Sequence, residues 1–198
     1  MSIIIACKKG DTIYMGTDTR VNIRGYKQND LSECNYKIQK QENGMLVGVS
    51  SDLSMVRQTI FAYSDIFTLD KSNDLTKRHI VKEIIPKLID VLKTRKGFYI
   101  KEEDDEPRMQ AKIVLAYKDK MFLILPEFSI IRSEEFLTTG DCSNFGLSTM
   151  YGVKQDSDVN EKILKALEIA SNNSFLVGPP YLLVDTKEQK YNLVGGNN

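Results

Sequence analysis

Apolar residues run unbroken near the start of the chain, Ile3-Ile4-Ile5-Ala6-Cys7, directly after Met1 and Ser2. A strand with one wet face would alternate, whereas a continuous run is what a strand buried on both faces looks like. Terminal residues usually fray for want of packing partners, so the pattern predicts that residues 2–7 are held inside a sheet. A second strand is expected at 12–16, after the charged, Gly-containing turn Lys8-Lys9-Gly10-Asp11. Residues 36–40 and 45–49 read as another pair, joined by Gln41-Glu42-Asn43-Gly44, whose Asn-Gly favours a hairpin. The polar stretch 21–35 between the two pairs reads as a loop.

Helical spacing follows. Asp52 is placed to cap a helix whose apolar face would be Met55, Val56, Ile60, Tyr63 and Phe67. A longer helix is expected over 76–93, with Ile80, Ile84, Leu88 and Leu92 in one stripe. Val81, Ile85 and Ile89 widen that stripe, and Pro86 should kink it. The acidic stretch 101–108 reads as an exposed loop. Further strands are expected at 112–117, 121–125, 128–133 and 135–138, then helices at 143–152 and 158–171. A last hairpin, 181–186 with 190–194, closes the pattern.

Strands, two helices, strands, two helices, strands: two antiparallel sheets face to face, each covered outside by helices, would bury all these faces. The expected class is α+β, a four-layer αββα sandwich, although the order also fits a plain α+β fold. The 198 residues suggest one domain, 1–198. With 27 basic and 27 acidic residues, no charge excess points to nucleic acid or an anionic membrane. No apolar run approaches the roughly 20 residues needed to span a bilayer, and residues 1–7 lack a signal-peptide pattern. Cys7, Cys34 and Cys142 have no metal-site or disulfide-framework spacing. A cytoplasmic protein is expected.

Candidate chemistry gathers around Ser2. Ser is small enough to permit removal of Met1, which would leave a hydroxyl and an α-amine on one residue, a nucleophile with its own base. Three features accompany it: Gly16-Thr17-Asp18-Thr19-Arg20, the lone lysine of Tyr36-Lys37-Ile38, and Thr138-Thr139-Gly140-Asp141.

Together these residues resemble the proteasome β-subunit and HslV-type N-terminal nucleophile hydrolase family. Ser2 with its apolar strand, the Lys-Gly turn and Asp18-Thr19-Arg20 match that family's amino-terminal pattern in spacing. Lys37-Ile38 resembles its lysine-aliphatic pair, Leu46-Val47-Gly48 its strand into the oxyanion turn, and Thr139-Gly140 its serine-glycine turn. Ala166-Leu167-Glu168-Ile169-Ala170 resembles its late helix.

The resemblance implies a self-compartmentalising peptidase in which Ser2 attacks a peptide carbonyl. Its α-amine would accept the proton, Lys37 would favour an alkoxide-like oxygen, and Asp18 would hold Lys37. The Ser51 N–H would be the oxyanion donor, while Thr139 and an Asn at 172–173 would hydrogen-bond the amine. Implied partners are a peptide or unfolded protein substrate, sister subunits in a homo-oligomeric ring, and an ATPase for unfolding. No cofactor or metal is implied.

The chain departs from the family in four places: Ser2 stands where threonine is typical, Ser50-Ser51 replaces a paired glycine, Ser171-Asn172-Asn173-Ser174 offers no acid near the nucleophile, and the loop from Asp18 to Lys37 is somewhat longer than expected. Two other readings use the same residues, a non-catalytic structural subunit and a small-molecule amidase. His79, the single histidine, has no Gly-x-Ser-x-Gly elbow to serve. No phosphate-binding Gly-x-x-x-x-Gly-Lys-Ser/Thr run occurs. Cys7 fits a core position, and the acidic run 102–106 lacks calcium-loop spacing.

Overall fold

The apolar run near the start is strand β1 (Ile3–Lys9), and its two faces enter different hydrophobic clusters. Ile4 and Ala6 point one way, Ile3, Ile5 and Cys7 the other, as the two-residue period of a doubly covered strand requires. A computed structural model describes residues 2–23, 26–29, 32, 36–94, 99–100, 107–152 and 158–195.

β1 belongs to a five-stranded antiparallel sheet in the order β12 (Phe136–Gly140), β1, β2 (Thr12–Asp18), β13 (Tyr181–Asp185), β14 (Asn192–Val194). A second five-stranded antiparallel sheet runs β11 (Ile130–Ser133), β10 (Lys120–Ile124), β9 (Lys112–Tyr117), β6 (Leu46–Ser50), β5 (Ile38–Lys40). The architecture is α+β, two antiparallel sheets with helices.

Three clusters hold it together. Ile4, Met15, Ile38, Leu46, Val114 and Leu182 bring residues of both sheets into one. In the second, Val47, Val49, Ile113 and Leu115 join Val56 and Ile60 of α1 (Ser54–Phe61) and Leu88 and Leu92 of α3 (Ile85–Lys93). The third joins Ile3, Ile5 and Leu183 to Ile163, Leu167 and Ala170 of α5 (Val159–Asn173), with Met150 of α4 (Ser143–Gly152). Each aliphatic side chain so buried contributes about 1.5–3 kcal/mol.

Local differences from the sequence expectations have physical causes. Leu53, not Asp52, precedes α1, and its face is the Val56–Ile60 pair four residues apart. Met55 falls off that face, Tyr63 lies beyond the end of α1, and they are 54% and 43% exposed. Phe67 is buried beyond a short 3-10 turn, Ser64–Ile66, and is not on the helix. The stripe Ile80, Ile84, Leu88, Leu92 is buried throughout.

Before Pro86 the chain passes from α2 (Lys77–His79, capped by the Thr76 hydroxyl) into a π segment, Ile80–Ile84. Pro86 follows at the start of α3, in a chain already helical at Ile84, so the π segment lies just ahead of the residue that has no N–H to give. The stretch expected as a loop contains a hairpin, β3 (Arg20–Ile23) with β4 (Tyr26–Asn29). Val21 and Ile23 do alternate with polar neighbours, but over four residues only, and Tyr26-Lys27-Gln28-Asn29 carries no such alternation. Short strands β7 (Tyr99–Ile100) and β8 (Arg108–Met109) pair beside the acidic stretch. The acidic run 102–106 and Cys34 lie outside the described residues.

Gly16 of β2 shows how closely α5 packs. A Cβ there would meet Ile163 Cγ2 at 2.3 Å and Leu183 Cδ2 at 2.9 Å. Gly16→Ala is therefore expected to destabilise the fold by about 1–3 kcal/mol through overpacking. Urea unfolding checks this, and an unchanged midpoint would contradict the packing described.

Candidate active site

Strand register brings the candidate residues to one end of both sheets. Ile3 pairs with Gly140 of β12, so Ser2 falls opposite Asp141, and Ile4 pairs with Thr17, so Ile3 falls opposite Asp18. On the second sheet Lys37 enters β5, and its carbonyl accepts from the Val49 N–H at 2.8 Å. Ser50 and Ser51 follow at the end of β6.

Asp18 is fully buried and organises its surroundings. Its Oδ1 accepts from Lys37 Nζ at 2.8 Å and from the Ile3 N–H at 3.3 Å, and its Oδ2 accepts from the Arg20 N–H at 3.2 Å. Lys37 is only 3% exposed. Burial pushes its ammonium below the ordinary lysine value, the Asp18 charge pulls it back up, and Arg57 and Arg20 push it further down. Thr17 Oγ1 donates to the Ile3 carbonyl at 2.7 Å, so both polar groups of Ile3 are tied to β2.

Ser2 is 1% exposed, and its Oγ is buried with no hydrogen-bond partner among the described residues. Buried hydroxyls are nearly always satisfied, so an orphaned one on the residue next to Ile3, which Asp18 holds, is a chemical feature. The Ser2 N–H donates to Asp141 Oδ2 at 3.3 Å. Ser2 lines a cleft of about 490 Å³ together with Ser50, Ser51, Asp52, Lys112 and Asp141. Gly140 is required here: its φ is +101°, and a Cβ would meet the Ser2 carbonyl oxygen at 2.0 Å.

The structure thus brings Ser2, Asp18, Lys37, Ser51 and Thr139 to one end of the sheets, with differences in detail. Thr139 Oγ1 lies 3.2 Å from Ser50 Oγ and joins β12 to β6, where the resemblance put it on the amine. Ser51 borders the cleft, its Oγ donating to the Gln110 carbonyl at 2.7 Å. Asn172 and Asn173 are exposed, and Asn173 Nδ2 donates to the Ile169 carbonyl within α5, away from Ser2.

The group at the Ser2 nitrogen is Asp141, which sequence reasoning did not single out. Its signal was the turn Thr139-Gly140-Asp141, legible only once β12 is known to pair with β1. His79 Nε2 lies 3.0 Å from the Thr68 carbonyl, far along the chain from these residues. Among the described residues no cluster of three His, Cys, Asp or Glu side chains could hold a metal ion.

Solved structures share this arrangement of elements. Thiobacillus denitrificans BPH superimposes with a TM-score of 0.73 at 18% identity, covering 92% of this chain and 96% of that one. HslV of Trypanosoma brucei gives 0.62 at 12% identity, covering 92% and 98%. The chain has a proteasome-β/HslV-type fold.

Anbu, the ancestral beta-subunit, from Yersinia bercovieri gives a TM-score of 0.65 at 13% identity, covering 96% of this chain and 82% of that one. Thiobacillus denitrificans BPH is also known in complex with epoxomicin. At these identities the likeness to proteasome-like proteins shows the fold. No protein-family model matches the chain, and no curated protein matches its sequence.

Breaking a buried ion pair by removing one partner strands the other charge. Lys37→Met is expected to destabilise the protein by about 3–5 kcal/mol. Adding Asp18→Asn should recover part of that loss, since no buried charge is then left alone. Urea unfolding of the two variants decides it. A double variant weaker than Lys37→Met would contradict the pairing.

Proposed function

We propose that the protein is a peptidase of the proteasome/HslV type, with Ser2 as nucleophile once Met1 is removed. The observation that carries this reading is the buried, orphaned Oγ of Ser2, a residue that lines the cleft and directly precedes Ile3, whose N–H is held by Asp18, the partner of Lys37. Ser2 Oγ attacks the peptide carbonyl carbon, and its proton passes to the Ser2 α-amine, whose reference pKa of about 7.7–8.0 leaves much of it neutral near pH 7.5. Lys37 stabilises the developing negative charge, and the Ser51 N–H serves the carbonyl oxygen. The amine returns the proton to the leaving nitrogen as the C–N bond breaks. Water then hydrolyses the ester, again giving its proton to the amine.

The epoxomicin complex of Thiobacillus denitrificans BPH lends the reading a ligand class, peptide-like electrophiles. The three stacked clusters support a four-layer αββα sandwich in one domain spanning 1–198. Cytoplasmic location belongs to the same reading; among the described residues no helix is long and apolar enough to cross a membrane. Docking of an ATPase on the assembly is part of it too.

Val81 at 50% exposure, with Met55 and Tyr63, leaves apolar surface on the helices that cover the second sheet. Where such residues form one contiguous patch, the surface marks an interface. The reading therefore includes a closed homo-oligomeric ring with the Ser2 sites facing inward.

Ser2→Ala is expected to lower hydrolysis of unstructured peptides by roughly 10³-fold or more, while Ser2→Thr keeps measurable activity. Equal activity in the wild type and Ser2→Ala would overturn the catalytic reading. Light scattering is expected to show one large species. A monomer at micromolar concentration would overturn the ring, and a dimer with no larger form would favour an amidase without a chamber.

A further inference from the structure

Asp141 stands at the reacting end of the site without an assigned task. It follows Gly140, whose close approach to the Ser2 carbonyl locks the β12 end against the start of β1. The Asp141 carboxylate is thereby fixed at the Ser2 nitrogen, Oδ2 to N 3.3 Å. The end of the late helix supplies no acid here: the chain has Ser171-Asn172-Asn173-Ser174, and Asn173 bonds within α5.

We propose that Asp141 is the positioning residue for the Ser2 α-amine: it anchors the nitrogen and sets the pH at which that amine becomes a base. The proposal rests on Ser2 being the nucleophile. Once Met1 is gone the nitrogen carries three hydrogens when protonated and two when neutral. Asp141 takes one of them and fixes the rotation of the amine about its Cα bond, so the lone pair has a set direction relative to Oγ.

The charge matters as much as the geometry. Around the amine stand Asp141 from the β12–α4 turn, Asp52 and Lys112 on the cleft wall, and the Asp18–Lys37 pair. Arg20 and Arg57 act on Lys37 from behind. Lys37 compensates Asp18, and Asp141 is the carboxylate within hydrogen-bond distance of the Ser2 nitrogen. An adjacent anion favours the ammonium form, so it moves the onset of general-base action to higher pH.

The sign is therefore definite. Neutralising Asp141 lowers the amine's affinity for a proton, and activity persists to lower pH, while looser positioning lowers the plateau. A purely structural Asp141 would change the plateau alone.

The test compares wild type with Asp141→Asn, following kcat/KM for a fluorogenic peptide from pH 5.5 to 9.5. In parallel, brief acetic anhydride labelling across the same range, mapped by mass spectrometry, titrates the amino-terminal amine directly. The expected result is an acid limb about 1 pH unit lower in Asp141→Asn, with the Ser2 amine titration moving equally and the plateau reduced. Asp141→Glu should return the limb toward the wild-type position.

If wild type hydrolyses the peptide and is acylated at Ser2, yet limb and titration stay put in Asp141→Asn, the role of Asp141 is overturned and the nucleophile stands. If the acylated amine is that of Met1 and no hydrolysis occurs, the nucleophile falls and Asp141 with it. Should Asp141→Asn fail to fold, Asp141→Ser carries the same comparison.

Discussion

The Asp18–Lys37 ion pair is the constraint on which the rest depends. Asp18 ends β2 of one sheet, Lys37 enters β5 of the other, and both are removed from water. Burying two charges costs several kcal/mol per ion, repaid only with close geometry and further hydrogen bonds. Here the 2.8 Å contact is supplemented by the Ile3 and Arg20 N–H groups on the same carboxylate. The pair therefore fixes how the two sheets meet at this end, and the hydrophobic cluster between them alone would not.

What the pair positions is the start of β1. Ile3 is held through its N–H by Asp18 and through its carbonyl by Thr17, and Gly140 presses on the Ser2 carbonyl from β12. With the backbone clamped on both sides, the Ser2 Cβ has a fixed position, and its buried hydroxyl has no hydrogen-bond partner among the described residues. Serine lacks the methyl that restrains a threonine side chain, so the clamped backbone fixes where Oγ can reach but not its rotamer. Arg20 extends the same support, its Nη1 donating to the Val177 carbonyl at 2.9 Å while its guanidinium fills the space a Gly178 side chain would need.

Much of this was legible in the sequence, for reasons tied to burial. The run Ile3–Ile4–Ile5 declared a doubly covered strand, and Ile80, Ile84, Leu88 and Leu92 declared a helix face, because continuous or four-spaced apolar residues have few other uses. Ser2, Asp18 and Lys37 stood out as polar residues at the edges of apolar strands. The β3–β4 hairpin was hidden because its strands are only four residues long and the second has no apolar alternation, and the α1 face was overread because Met55 and Tyr63 are apolar yet exposed. The contact of Asp141 with Ser2 spans 139 positions of chain and comes from antiparallel pairing, which local pattern does not carry. Likewise Thr139 meets Ser50 because two sheets approach there, a matter of packing that neither residue signals by itself.

The central claim is that this geometry makes Ser2 a nucleophile with a free amine. Treatment with a peptidyl epoxyketone, followed by proteolysis and mass mapping of the adduct, addresses it most directly. The account predicts a single modified residue, Ser2, in a chain that has lost Met1, with no labelling after Ser2→Ala. An unlabelled chain that retains Met1, or an adduct on any other residue, would contradict it.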